Sequence, residues 1–295
     1  MSFSARAKRE MCRVPIEKPC CAAAECYGAL LLGNTFRTDE LRIVTSHEEY
    51  AERLAELFMR AFSVRFNDMP PQMRKHTLAV TNPADISKIR AAFGYGTQPG
   101  VALHLNNAVL EHECCLSAFW RGAFMSGGSV TNPDKKYRLE IVTPHRHLAR
   151  ELAALLGESG LEARTGERAG TQVLYFKKSE SIEDFLTLTG APVASLTIME
   201  AKVEKDMRNR VNRRVNCDNA NLDKTLAAVE RQKAAITGLS LSGRIDGLPD
   251  SLRALARARL ENPEDSLSQL AALLGVSRSC VNHRMRKLCE LARQK

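Results

Sequence analysis

Two stretches of this chain repeat each other, and a duplicated sequence must fold into a duplicated structure. Shifted by 94 residues, Ile16–Asn34 lies over Leu110–Gly128 with seven of 19 positions identical, among them Cys20/Cys114, Cys21/Cys115, Gly28/Gly122 and Gly33/Gly127. Four further residues of offset bring Ile43–Leu57 over Ile141–Leu155, where eight of 15 match. Chance gives roughly one match in fifteen for average composition. The additional residues fall around Asn132–Lys135, where Asn-Pro-Asp marks a turn.

Each copy carries the same periodicities. An apolar helix rich in small residues is expected at Cys20–Leu32 and Cys114–Met125. Two short strands follow, near Thr38–Thr45 and Tyr137–Thr143. Tyr50, Leu54, Leu57, Phe58 and Ala61, and in the second copy Leu148, Leu152, Leu155 and Leu156, recur at helical spacing. Further strands are expected at Ser63–Asn67 with Thr77–Thr81, and at Glu162–Gly166 with Thr171–Lys177. A last helix closes each unit, Asp85–Phe93 and Ser181–Leu188. The predicted fold is therefore α+β, an αββαββα unit built twice.

Gly28 and Gly122 sit inside apolar helices, where glycine costs roughly 1 kcal/mol against alanine. A C-cap could explain Gly33 and Gly127 but not a glycine a turn earlier. A close crossing of the two helices explains all four. The strings AECYGALLLGNTF and SAFWRGAFMSGGSV resemble degenerate LAGLIDADG motifs, the signature of duplicated αββαββα homing endonucleases. In that family the eighth residue of the motif is an acid that binds the catalytic metal. Gly33 and Gly127 stand at that position here, and neither offers an oxygen ligand. The resemblance therefore implies a nuclease scaffold without its catalytic metal ligands.

The C-terminal part reads as a separate all-α module. Gly238–Gly247 is rich in Gly and Ser and reads as a linker. Pro249 opens a helix with Leu252, Leu255 and Leu260 apolar, and Asn262-Pro263 ends it. Ser266 caps a second helix with Leu267, Leu270, Ala271 and Leu274 inward. After Gly275-Val276-Ser277 a third helix runs from about Arg278 to Leu291, with Val281, Met285 and Leu288 inward. Ala271, Gly275 and Val281 occupy the crossing, tight-turn and core places of a helix-turn-helix. The open face of the third helix carries Arg278, Ser279, Asn282, His283, Arg286 and Lys287 as DNA-contact candidates. Asn and Arg suit adenine and guanine edges.

Charge points to the same end of the chain. Net charge is +9. From Met199 onward 19 basic residues face 12 acids, against 24 and 22 before it. A basic excess suits a polyanion, although solubility alone can also account for it. Nine cysteines and an N-terminus without a secretory apolar core lead to an expected cytoplasmic, nucleoid-associated protein with free thiols. No stretch reaches the roughly 20 apolar residues of a membrane span. Cys20-Cys21-Cys26 and Cys114-Cys115 show no paired CxxC spacing, so no metal and no cofactor is expected. Small apolar packing is the expected cysteine role, with a redox role left open.

Between the two parts a helix bearing Arg208, Arg210, Arg213 and Arg214, secondary DNA-contact candidates, is expected to precede an Asn-rich turn in NRRVNCDNANLDKT. That string, the degenerate motif pair and the helix-turn-helix together resemble the WhiA family over nearly the whole chain. The resemblance implies a non-enzymatic DNA-binding regulator tied to transcription control, cell division, chromosome segregation and sporulation. The expected organisation is repeat 1 at 1–105, repeat 2 at 106–198, a basic connector at 199–236, a linker at 237–248 and the helix-turn-helix at 249–295. Double-stranded DNA is the expected partner. An active homing endonuclease or maturase is the enzymatic alternative. A first domain that binds other regulatory proteins rather than DNA is a third reading.

Overall fold

In the computed structural model, residues 1–67, 75–96 and 102–294 are described. Their contacts divide the chain into two units, Met1–Asp206 and Met207–Lys295.

The first unit is organised around two helices, α2 (Pro19–Leu31) and α5 (Glu113–Gly127), one from each repeat. A Cβ on Gly28 would stand 2.1 Å from the Phe119 carbonyl oxygen, and one on Gly122 would stand 2.0 Å from that of Glu25. No side chain fits there, so both positions must be glycine. Gly33 and Gly127 are crowded differently. Gly33 faces the Ala29 carbonyl of its own helix and the Ile43 side chain of the sheet, whereas Gly127 faces Leu32 and the Val142 carbonyl. The expected crossing is thus made by Gly28 and Gly122, and Gly33 and Gly127 seat the helix ends against the sheets.

The flanking elements keep the repeat offset. Strand β2 (Leu41–Thr45) and β5 (Leu139–Thr143) pair antiparallel with β1 (Thr35–Phe36) and β4 (Gly128–Val130) respectively. Helices α3 (Glu48–Phe62) and α6 (Arg146–Glu158) bury Tyr50, Leu54, Leu57 and Phe58, and Leu148, Leu152, Leu155 and Leu156. Each follows the same turn, in which the hydroxyl of Thr45 or Thr143 accepts the amide of His47 or His145. Helices α4 (Pro83–Ala92) and α7 (Ser179–Thr189) close the repeats.

The sheets differ from the expectation in three places, the first being β1 at Thr35–Phe36, ahead of Thr38. β4 starts directly at the end of α5, well before Tyr137, because Gly128 turns extended against the Phe124 ring where a Cβ would clash. The first sheet has the order β1-β2-β3, with β3 at His76–Val80, and the second has β4-β5-β7-β6, with β6 at Arg164–Arg168 and β7 at Thr171–Phe176. Ser63–Asn67 is no strand; Ser63 and Val64 donate back to the Met59 and Phe58 carbonyls of α3, and the Asn67 amide donates to the Ala79 carbonyl of β3. Ser63 has positive φ at the end of α3, which turns the chain out of strand geometry.

An added helix, α1 (Phe3–Cys12), precedes the first repeat. The Ser2 hydroxyl caps it at the Ala5 amide, and Phe3, Ala7 and Met11 are buried at a spacing of four.

Helix α8 (Pro192–Leu241) begins in the first unit and ends in the second. It runs through the string expected to turn, because Asn and Asp lower helix propensity only modestly and no Gly or Pro lies between Pro192 and Gly238. It also passes Gly238, so the expected linker begins as helix and continues as a 3₁₀ turn at Arg244–Gly247. In the second unit Ile236 and Leu239 of α8 join a core with Leu252 and Leu255 of α9 (Asp250–Glu261), Leu270 and Ala271 of α10 (Leu267–Leu273), and Val281, Met285 and Leu288 of α11 (Arg278–Arg293). Leu260, expected inward, is exposed, and Arg259 is buried instead. No described helix is long and apolar enough to cross a membrane.

Candidate nucleic-acid interface

The second unit presents α11 through a turn that its residues dictate. Ser266 and Gln269 close a reciprocal capping box on α10. Gly275 adopts φ +63°, the left-handed conformation that ends α10 without side-chain strain. Val276 donates back to the Ala271 carbonyl at 3.0 Å, and the Ser277 hydroxyl caps α11 at the Cys280 amide. Arg244 donates to the Leu291 carbonyl at the other end of α11, where a cation complements the helix dipole. Arg259 donates to the Asp265 carbonyl and ties α9 to the turn before α10; burial pulls its pKa down.

With Val281, Met285 and Leu288 buried on one side, the opposite side of α11 is free. Arg278, Ser279, Asn282, His283, Arg286 and Lys287 are all exposed. Among the described residues none of Arg278, Arg286 and Lys287 forms an ion pair. Asn282 and Arg286 also border a groove with Arg231 and Gln232 of α8 and Arg293 of α11. Sequence reasoning missed Arg231 and Arg293. The signal was present in the apolar Ile236 and Leu239, which dock the end of α8 against α11's domain.

The connector arginines do not converge as a group. Arg208, Arg210, Arg213 and Arg214 are all exposed on α8. At 3.6 residues per turn Arg210, Arg213 and Arg214 share an arc of about 100°, and Arg208 points away from them.

In the first unit the motif helices carry charge of another kind. Glu25 on α2 is 1% exposed. It accepts from Arg53 of α3 at 2.5 and 2.8 Å and from Arg121 of α5 at 2.9 Å. Arg53 also donates to the Cys12 and Val14 carbonyls, and Arg121 to the Thr189 carbonyl. Hydrogen bonds and charge from Glu25 hold the Arg53 pKa up against burial. Glu25 is thus committed to a structural triad. Gly33 and Gly127 stand at the motif position for which the homing-endonuclease resemblance implies an acid.

The cysteines gather in a way their spacing does not announce. Cys20, Cys21, Cys114 and Cys115 place their sulfurs within 4.8 Å of one another. Cys20 is exposed and Cys115 is buried, so uniform apolar packing does not describe the group. The CxxC test looks along the chain, whereas here two adjacent pairs meet across the repeat axis.

A duplicated LAGLIDADG-like domain followed by a helix-turn-helix domain defines the class of protein. The description "WhiA LAGLIDADG-like domain" matches residues 116–208, and "WhiA C-terminal HTH domain" matches residues 211–292, beginning inside α8. Two relatives carry the name "Probable cell division protein WhiA". That of Ruminiclostridium cellulolyticum is 35% identical and that of Desulforudis audaxviator 36%, each alignment covering 99% of this chain and 97% of the relative. The crystal structure of full-length DUF199/WhiA from Thermatoga maritima superposes with a TM-score of 0.60 at 22% identity, covering 99% of this chain and 98% of that one. The chain belongs to the WhiA family.

Proposed function

We propose that this protein is a sequence-specific double-stranded DNA-binding regulator that reads bases with α11 and does not cut them. The exposed, unpaired cationic face of α11 carries this reading. A recognition helix enters the major groove by its N-terminal part, which assigns base reading to Arg278, Ser279 and Asn282, with His283 beside them. Arg286 and Lys287 lie further along and meet phosphate, and Arg210, Arg213 and Arg214 supply a secondary backbone contact. The proposed roles are transcription control, cell division, chromosome segregation and sporulation, from a nucleoid position in the cytoplasm. The first unit serves as scaffold or partner surface for other regulatory proteins. With glycine at both motif acid positions, phosphodiester hydrolysis is not part of the proposal.

The test is selection of bound sequences from a random duplex pool by the full chain, repeated with Asn282→Ala. A motif that the wild type enriches and the variant loses supports α11 as reader. Enrichment unchanged by Asn282→Ala and Arg278→Ala overturns it. Incubation of the selected duplex with Mg²⁺ or Mn²⁺ tests the absence of cleavage. Nicking that persists through purification restores the enzymatic alternative.

A further inference from the structure

The four gathered thiols carry an inference independent of DNA binding. Cys20 and Cys21 lie in the first turn of α2, and Cys114 and Cys115 in the first turn of α5. Because the two helices are repeat equivalents crossing at Gly28 and Gly122, their N-termini bring both pairs to one place. The thiols are not simply neighbours on a surface. Four soft ligands, two from each repeat, converge with one side open to solvent at Cys20 and the other closed at Cys115.

The spacing discriminates among the uses of such a group. A tetrahedral ion with metal–sulfur bonds near 2.3 Å needs sulfurs about 3.8 Å apart. Sulfurs that all lie within 4.8 Å of one another approach that spacing. A polynuclear iron–sulfur cluster holds its thiolates further apart than a single ion does. A disulfide needs only two sulfurs, at about 2.05 Å, and leaves two unused.

We propose that Cys20, Cys21, Cys114 and Cys115 form a four-thiolate site for one Zn²⁺ ion that clasps the two repeats together. On binding, the four thiols release four protons to solvent, four zinc–sulfur bonds form, and no electrons are transferred. The resulting centre carries charge −2. It sits at the N-termini of two helices, whose free amides and positive dipole ends favour an anion. The ion would hold together the N-termini of the two helices whose middles are locked by glycine and by the Glu25 triad.

The experiment uses the full chain, prepared reduced and metal-free, with Co²⁺ as the probe. One equivalent of Co²⁺ is expected to give sulfur-to-metal charge-transfer absorption and the strong visible bands of tetrahedral thiolate coordination. One equivalent of Zn²⁺ should abolish both. Native mass spectrometry of the unaltered protein should show one zinc per chain, and chelation should lower Tm by about 5 °C or more. The double variant C21S/C114S should lose the bands, and C217S should keep them. Weak octahedral bands only, or full tetrahedral binding by C21S/C114S, overturns the proposal. So does a reduced wild-type chain that takes up no metal but forms a Cys20–Cys115 or Cys21–Cys114 disulfide under mild oxidant. The wild-type titration decides even where the double variant fails to fold.

Discussion

In the first unit the charges that matter are inside and paired; in the second they are outside and unpaired. Glu25, Arg53 and Arg121 are nearly excluded from water and satisfy one another and three backbone carbonyls. Arg278, Arg286 and Lys287 are exposed, with no ion-pair partner among the described residues. A buried triad holds its own helices in register, and breaking it strands a charge. A free cationic face gains little from folding and is available to an external polyanion. The two units should therefore separate by assay, the first responding in stability and the second in binding.

The largest expected effect tests the crossing. Gly122→Leu places side-chain atoms where even a Cβ meets the Glu25 carbonyl at 2.0 Å, so the two repeats must separate. The cost should be roughly 3 kcal/mol or more in denaturant unfolding. An unchanged midpoint would show that the helices do not cross there.

Next comes the triad. Glu25→Gln leaves Arg53 and Arg121 buried without a counter-charge, and about 3 kcal/mol of stability should be lost. The matched control is Glu140→Gln, whose partners Arg138 and Arg168 are far more exposed; it should cost under about 1 kcal/mol. Equal costs would erase the contrast between buried and exposed charge.

Asn282→Ala should weaken binding to a specific duplex by roughly 1–3 kcal/mol while leaving the melting temperature in place. Lys287→Ala should weaken all duplexes alike and lower the slope of log K against log salt by about one. Titrations across salt concentrations distinguish the two. If either variant instead lowers stability and spares affinity, the division of labour between the units is wrong.

The smallest effect concerns pH. Burial, and for His47 also Lys8 and Arg9, holds the His47 and His145 pKa below the ordinary 6.5. In the window between that lowered value and 6.5 the unfolded chain binds protons that the folded chain does not. The stability these residues leave intact above 6.5 therefore falls as pH drops through that window. Urea midpoints at pH of about 7.5 and 5.5 should show the loss, and the pair His47→Gln and His145→Gln should flatten it.

Much of this architecture was legible from the residues alone, because duplication and periodicity are local signals. The offset of 94 places α2 over α5, and that of 98 places β2 over β5 and α3 over α6 in register. The buried positions of α11 follow from a spacing of three and four residues, so the opposite face could be named too. Other features were less legible. Helix α1 is short, and its signal is three apolar residues and a serine cap. The Asn-rich string suggests a turn in isolation, yet it lies within a 50-residue helix. Arg231 lies more than forty residues from Asn282 in sequence but lines the same groove.

The sequence by itself determined the duplicated α+β domain, the helix-turn-helix, a close crossing of two glycine-bearing helices and the cationic face of α11. Each depends on residue type and on spacing within one element. The tertiary structure alone decided that Glu25 joins arginines 28 and 96 residues away, and that two cysteine pairs from different repeats meet. Those arrangements depend on which helix ends and faces packing brings together. Distances across a helix crossing are set by the packed core and leave no period in the chain for a linear reading to find.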